Sequence, residues 1–322
     1  MRLDEIIEKA RTGESELTDE EVLNMLEMDT HSEDFYHLIC ASNEYSRKTF
    51  HNRGYIFVQI GLNAEPCSGN CLFCSMGASH YSMNERWRKR PEDVAEEIGR
   101  IRQNEIDDIF LMTTADYPFE LYLDVVSKVK PMLDSKLRLV ANVGDFDYDM
   151  AMKMKAAGIT GVYHVNRLRE GIDTSIEVEE RIRTLDVVKR AGLEMYYCIE
   201  PIGAEHSYEE ILTEIRRAES LEPEVMAVMR RVNYPDSPLV DRKMITAIEL
   251  VKIAAVTNLV VRPSRAMNLH ESEQMSLLAG VNQLYAEIGA NPRDVNAKTE
   301  TSRGLSVYQT RKMLSDANFD LQ

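Results

Sequence analysis

The stretch Cys67-Ser68-Gly69-Asn70-Cys71-Leu72-Phe73-Cys74 puts three cysteines into eight residues, shortly after the apolar run Tyr55–Gly61. A thiolate is a soft ligand, and three at this spacing can face one small cluster from a single tight loop. Three thiolates on a cubane of four irons leave one iron without a protein ligand, open to bind and activate a small molecule. Zinc is the alternative. A structural zinc takes four N or S ligands, usually from separated Cys-x-x-Cys pairs. Here the spacing is C-x3-C-x2-C, no second pair exists, and His80 would have to serve as the fourth ligand. Three cysteines cannot all pair as disulfides, which weakens that reading.

The rest of the chain alternates around this loop. Short β-rich apolar runs occur at Tyr55–Ile60, Asp108–Thr113, Leu137–Asn142, Gly161–Val165, Glu194–Ile199, Val225–Met229, Leu259–Arg262 and Gln283–Glu287. Between them lie amphipathic stretches at helical spacing: Pro91–Gln103, Pro118–Met132, Asp147–Ala157, Ile176–Ala191, Tyr208–Leu221, Asp241–Val256 and Glu273–Ala279. Gly158 and Gly192 stand where helices would end. Repeated β–α units imply a parallel sheet with right-handed crossovers, and eight of them imply a closed barrel. The fold expected is α/β, a (β/α)8 TIM-type barrel over residues 51–290. A helical extension at 1–50 precedes it, with Thr18 as a helix N-cap, and a tail at 291–322 carries a last helix near Val307–Asn318.

Composition bounds the partners. With 38 Lys plus Arg against 54 Asp plus Glu, the net charge of −16 speaks against non-specific binding of nucleic acid or an anionic membrane. No apolar run reaches the roughly 18 residues of a membrane span. The first residues form a charged helical pattern and not a signal peptide. Five cysteines, three of them in one loop, suit a reducing, cytoplasmic interior. The other two, Cys40 and Cys198, read as small buried hydrophobes.

C-x3-C-x2-C behind a strand, with the aromatic Phe73 before the last cysteine, resembles the signature of radical S-adenosylmethionine (SAM) enzymes. The resemblance looks most like the biotin synthase branch, which also holds methylornithine synthase and HydE-type hydrogenase-maturation proteins. It implies a [4Fe–4S] cluster on Cys67, Cys71 and Cys74, with SAM chelating the fourth iron. One electron from the cluster would then cleave SAM to methionine and a 5′-deoxyadenosyl radical, which abstracts hydrogen from a substrate bound lower in the barrel. A reductant such as ferredoxin or flavodoxin is implied, and a protein partner is left open.

In parallel barrels function collects at the C-terminal strand ends, so the resemblance can be carried there residue by residue. Thr113 and Thr114, where the family often has glycine, would bring backbone to the amino end of SAM, or form an ordinary turn. Asn142 would bind substrate, and Asp145 would do so or cap the next helix. Asn166 matches a ribose-binding Asn. Arg169 and Glu170, adjacent here and not two apart, match more loosely an Arg and a Glu that hold SAM, or form a surface salt-bridged loop. Glu200 would contact SAM or substrate, and Gly203 matches a turn against adenine, although the preceding Glu-Pro departs from the glycine-rich form. Phe73, Tyr81 and Tyr163 would help to pack SAM. Arg230 and Arg231 after strand six, and Arg262 and Arg265 after strand seven, form a cationic rim that suggests a carboxylate-bearing substrate, unless they are simply solvated. His270 is a polar contact or a surface loop residue.

The chain departs from biotin synthase at the second, sulfur-donating cluster. The matching strands hold Leu111, Met112, Val140 and Ala141, with Cys198 alone. One cysteine cannot replace three thiolates. The expected function is therefore hydrogen abstraction from a small molecule in cofactor or amino-acid biosynthesis. The alternatives are a partner-dependent, lipoyl synthase-like sulfur insertion and a non-catalytic iron–sulfur or zinc protein.

Overall fold

β-Branched and aromatic runs buried on both faces make the strands, as a sheet covered by helices requires. The computed structural model describes residues 2–270, 273–287 and 304–321. β1 (Tyr55–Gly61) is followed by a short antiparallel pair, β2 (Asn63–Ala64) and β3 (Trp87–Arg88). Then come β4 (Asp108–Met112), β5 (Arg138–Asn142), β6 (Gly161–Tyr163), β7 (Glu194–Ile202), β8 (Val225–Arg230), β9 (Ala266–His270) and β10 (Gln283–Glu287). β1 pairs in parallel with both β4 and β10, which closes an eight-stranded barrel. The fold is the α/β (β/α)8 barrel that the alternation implies.

The outer layer holds α4 (Pro91–Gly99), α5 (Phe119–Val129), α6 (Tyr148–Ala157), α7 (Val178–Ala191), α8 (Tyr208–Leu221) and α9 (Ala247–Val261). Gly158 and Gly192 cap α6 and α7 in the left-handed region, at φ of 101° and 62°, where a β-carbon would be strained. Three helices precede the barrel: α1 (Leu3–Thr12), α2 (Asp19–Glu27) and α3 (Glu33–Thr49). Thr18 caps α2 as its sequence suggests, and Glu21 completes the capping box. α10 (Val307–Asp316) lies against β10 and β1, and the expected tail residues 291–303 and boundary at 290 lie outside the described residues.

Strand seven is not Leu259–Arg262. Those residues finish α9, and the strand is β9, which starts at Ala266. The cause is packing. α9 is buried from Leu250 to Val261, with the barrel on one side and α1 to α3 on the other. The Asn258 amide donates to Ser42 Oγ (2.8 Å) and Ser46 Oγ (2.9 Å), and Ser42 Oγ donates to the Ala279 carbonyl (2.6 Å). A helix buried all round loses its amphipathic period, and its apolar run reads as a strand. The Glu273–Ala279 stretch is a 3-10 turn at Gln274–Ala279, not an α-helix.

This shift moves two arginines. Arg265 precedes β9 and closes the N-terminal floor of the barrel, donating to both Asp108 oxygens (2.8 and 2.9 Å) and to Tyr196 Oη (3.2 Å). Burial works against its charge, but the Asp108 carboxylate holds the guanidinium above its ordinary range. Arg262 caps α9, donates to the Ala10 carbonyl (3.2 Å) and stacks on Tyr45. Neither reaches the C-terminal rim where a substrate carboxylate was expected.

Candidate active site at the mouth of the barrel

The cysteine loop is built as a tight coil. Its backbone closes on itself from Cys67 N–H to the Met76 carbonyl (2.8 Å) and from Cys74 N–H to the Cys71 carbonyl (2.9 Å). Other strand ends pin it from outside. Leu72 N–H donates to the Asp173 carbonyl (2.9 Å), Ser175 N–H to the Gly69 carbonyl (2.8 Å), and Tyr234 Oη to the Cys74 carbonyl (3.1 Å). Ser68 N–H donates to Asp116 Oδ2 (2.6 Å). His80 donates its Nε2–H to the carbonyl oxygens of Cys71 and Cys74 (3.0 Å each). It braces the backbone, so its ring is not placed as a fourth zinc ligand.

The three thiols open on a cavity of about 340 Å³, a size that holds a cofactor-sized ligand. Their sulfurs are also spread more widely than one ion needs. Among the described residues, the His, Cys, Asp and Glu ligand atoms gathered within 4.8 Å lie elsewhere. That spread suits a multi-iron cluster better than a single zinc. Burial pushes the Cys71 thiol up to about 12, with Arg167 pulling the other way, so metal binding must displace its proton.

Thr113, Thr114, Asn142, Glu200, Arg231 and Phe73 line the same cavity, as their sequence positions suggest. Their side chains are differently engaged. Thr114 Oγ1 accepts from the Asn63 amide (2.8 Å), whereas Thr113 Oγ1 is buried with no hydrogen-bond partner. Glu200 accepts from Tyr163 Oη (2.7 Å) and pairs with Arg167 Nε (3.3 Å). The Arg231 guanidinium is taken up by Glu205 after β7, by Asn233 (3.1 Å) and by the carbonyls of Arg242 (3.1 Å) and Lys243 (3.0 Å).

Several expected contacts do not face the cavity. Asn166 turns outward, its amide donating to Glu214 of α8 (3.0 Å), because the chain has left the strand after Tyr163. Arg169 adopts a positive φ of 59° in the turn beyond it and does not line the cavity. Glu170 is buried behind the wall, accepting from Thr174 Oγ1 (2.6 Å) and pairing with Arg181 Nε (3.4 Å). Gly203 lies outside the cavity, its N–H given to His206 Nδ1 (2.9 Å) and its α-carbon against Arg231. Arg230 pairs with Glu273 (2.8 Å) away from the cavity. Tyr81 donates to the Ala64 carbonyl (2.9 Å) and does not line it either.

Sequence reasoning missed the charged wall. Arg167 and Arg181 both line the cavity. Arg181 pairs with Asp145 (3.1 Å), whose other oxygen takes hydrogen bonds from His164 (3.0 Å) and Thr184 (2.8 Å). Burial alone would raise the Asp145 carboxyl, but His164, Arg181 and Thr184 hold it at about 2. Burial lowers His164, so its ring is neutral and donates from Nε2. The nitrogens Arg167 Nε, Arg167 Nη1 and Arg181 Nε are buried with no aligned acceptor, although carboxylates lie nearby. Such donors at a cavity wall fit an anionic group on a ligand. One signal was present: Arg181, Thr184, Leu185 and Val188 share a helix face, so a cation stands in an apolar stripe. His270 is also buried and lines the cavity, as the last residue of β9 and not a surface loop residue.

No family model matches the chain. Its curated relatives include biotin synthase of Clostridioides difficile, 23% identical over 321 residues and covering 96% of each chain. Biotin synthase of Pelotomaculum thermopropionicum is 25% identical over 299 residues, covering 87% of this chain and 90% of the relative. Among solved structures, methylornithine synthase superposes with a TM-score of 0.84 at 17% identity, over 98% of this chain and 97% of that one. The [FeFe]-hydrogenase maturase HydG of Carboxydothermus hydrogenoformans does so with a TM-score of 0.81 at 18% identity, over 98% and 78%.

Proposed function

We propose that this chain, a biotin synthase-like radical SAM enzyme by homology and fold, holds a [4Fe–4S] cluster on Cys67, Cys71 and Cys74 and binds SAM and a small carboxylate-bearing substrate beneath it. The observation that carries this reading is the junction of one braced three-cysteine loop with one cavity whose wall holds two arginines with buried guanidinium nitrogens that have no aligned hydrogen-bond acceptor. Cys67, Cys71 and Cys74 would hold the cluster, which together with SAM would supply one-electron reductive cleavage of the sulfonium, with release of methionine, and hydrogen abstraction from the substrate.

The chain's own residues bind, orient and exclude. Arg167 and Arg181 face the carboxylate of a bound amino-acid group, with Asp145 and Glu170 behind them fixing the guanidinium planes. Thr113 offers its hydroxyl to the ammonium or hydroxyls. Phe73, Met112, Val143, Val165, Ile176 and Met229 give an apolar lining that keeps water and stray hydrogen donors from the reacting atoms. Among the described residues no helix is long and apolar enough to cross a membrane.

The test is anaerobic. The chain is reconstituted with iron and sulfide, reduced, supplied with SAM and assayed for 5′-deoxyadenosine and iron. About four irons per chain with slow cleavage are expected, and Cys71→Ala should lose both. Zinc in place of iron, or cleavage that survives Cys71→Ala, would defeat the reading.

A further inference from the structure

We propose a second, mononuclear metal site on the floor of the cavity, in which Cys198, Glu200 and His270 bind one divalent transition ion, zinc or iron(II), with a coordination position open to the cavity. Cys198 and Glu200 are two residues apart on β7 and so share its inner face. His270 ends β9, one strand beyond β8. Between them β8 places the small Ala227 opposite Cys198 and Met229 opposite His270. The thiol, carboxylate and imidazole ligand atoms all lie within 4.8 Å of one another.

The surroundings orient these groups as metal ligands are usually oriented. Tyr163 donates to Glu200 Oε2 (2.7 Å), and Arg167 stands 3.3 Å from the other carboxylate oxygen. The His270 ring stacks on Tyr163 (5.5 Å, 16°), with Phe57 and Tyr285 at 5.9 and 5.8 Å. All three ligands are buried, Cys198 completely. A barrel interior at this depth is ordinarily filled by branched hydrophobic side chains, so a sulfur, a carboxylate and an imidazole meeting there need a reason. One thiolate, one imidazole and one carboxylate suit zinc or iron(II), and three protein ligands with one open position is the arrangement of catalytic zinc. On binding, the Cys198 thiol gives up its proton, so the thiolate and the carboxylate balance the dication. Glu200 and His270 line the cavity, so the open position faces it and would take an amine, thiol or carboxylate of a substrate.

The site does not rest on the SAM reading, since it is made of strand residues and would form in a chain without a cluster. The test is a full-length Cys67→Ala/Cys71→Ala/Cys74→Ala variant, which leaves Cys40 and Cys198 as its thiols. It is stripped with chelator and titrated with Co²⁺. The expected result is about one ion per chain with a sulfur-to-cobalt charge-transfer band. Adding Cys198→Ser should abolish the band and weaken binding more than tenfold, whereas Cys40→Ser should leave both unchanged. Absence of stoichiometric cobalt, or a band that follows Cys40, would overturn the site. If the triple variant does not fold, the cluster-loaded chain is grown and reconstituted with zinc, and iron and zinc are counted together. About one ion beyond the cluster iron, zinc or iron, lost in Cys198→Ser supports the site, and no metal beyond the cluster iron in the parent overturns it. SAM cleavage, measured in parallel on the cluster-loaded chain, stands or falls separately.

Discussion

Two arginines that look alike in the sequence have opposite tasks. Arg265 is a floor residue whose removal strands Asp108 in the core. Breaking a buried pair costs about 3–5 kcal/mol. Arg265→Met should therefore lower the urea unfolding free energy by that order, yet leave the SAM concentration for half-maximal cleavage within about twofold. Arg167→Met removes charged hydrogen-bond donors from the cavity wall, each worth about 1.5–3 kcal/mol, so that concentration should rise at least tenfold. Equal effects on SAM dependence from both variants would contradict this division. His164 sets a pH dependence. Burial holds its folded pKa below the unfolded value of 6.5. Below that pH the unfolded chain takes up a proton that the native chain refuses, so stability falls with acidification. The urea midpoint should drop as the pH falls below about 6.5, and the drop should shrink in His164→Gln. Asp145 adds a further loss as pH falls from 3.8 through about 2, since its folded value is depressed and its stabilisation needs the carboxylate. The cysteines were legible because their spacing is local. The pairing of Arg181 with Asp145 was not, because the two come from different β–α units.

At the level of elements, the helix–strand alternation was readable wherever a helix keeps one wet face. α9 is buried along its last three turns, and its end, Leu259–Arg262, therefore reads as a strand. This misplacement alone put Arg262 and Arg265 on the wrong end of the barrel and hid His270 within it. The same burial makes α9 a sensitive element. Leu250→Ala removes a fully buried side chain between two layers and should cost about 2–5 kcal/mol in urea unfolding. Thr246→Ala removes only the N-cap acceptor for Glu249 N–H (3.3 Å) and should cost about 1 kcal/mol. If Leu250→Ala cost no more than the cap, the N-terminal helices would not be packed on α9 as described.

For the whole molecule, closure of the barrel makes the cavity a single chamber roofed by the cysteine loop, and ligand binding there should act on the entire fold. Strand ends of β4, β6 and β8 all bond to that loop. A cluster in the loop with SAM beneath it would tie these units together in the native state and not in the unfolded chain. At a SAM concentration a hundredfold above its dissociation constant, binding to the native state alone adds about 2.7 kcal/mol. For a chain of this size that corresponds to a rise in melting temperature of roughly 3–6 °C. The rise is expected in the anaerobic, cluster-loaded chain. It should vanish in Cys71→Ala, because the cluster then loses a ligand and does not assemble, and should be much reduced in Arg167→Met. A rise of equal size in Cys71→Ala would mean that SAM is held by the wall without the cluster. No rise in the loaded chain at saturating SAM would mean that the chamber takes a different ligand.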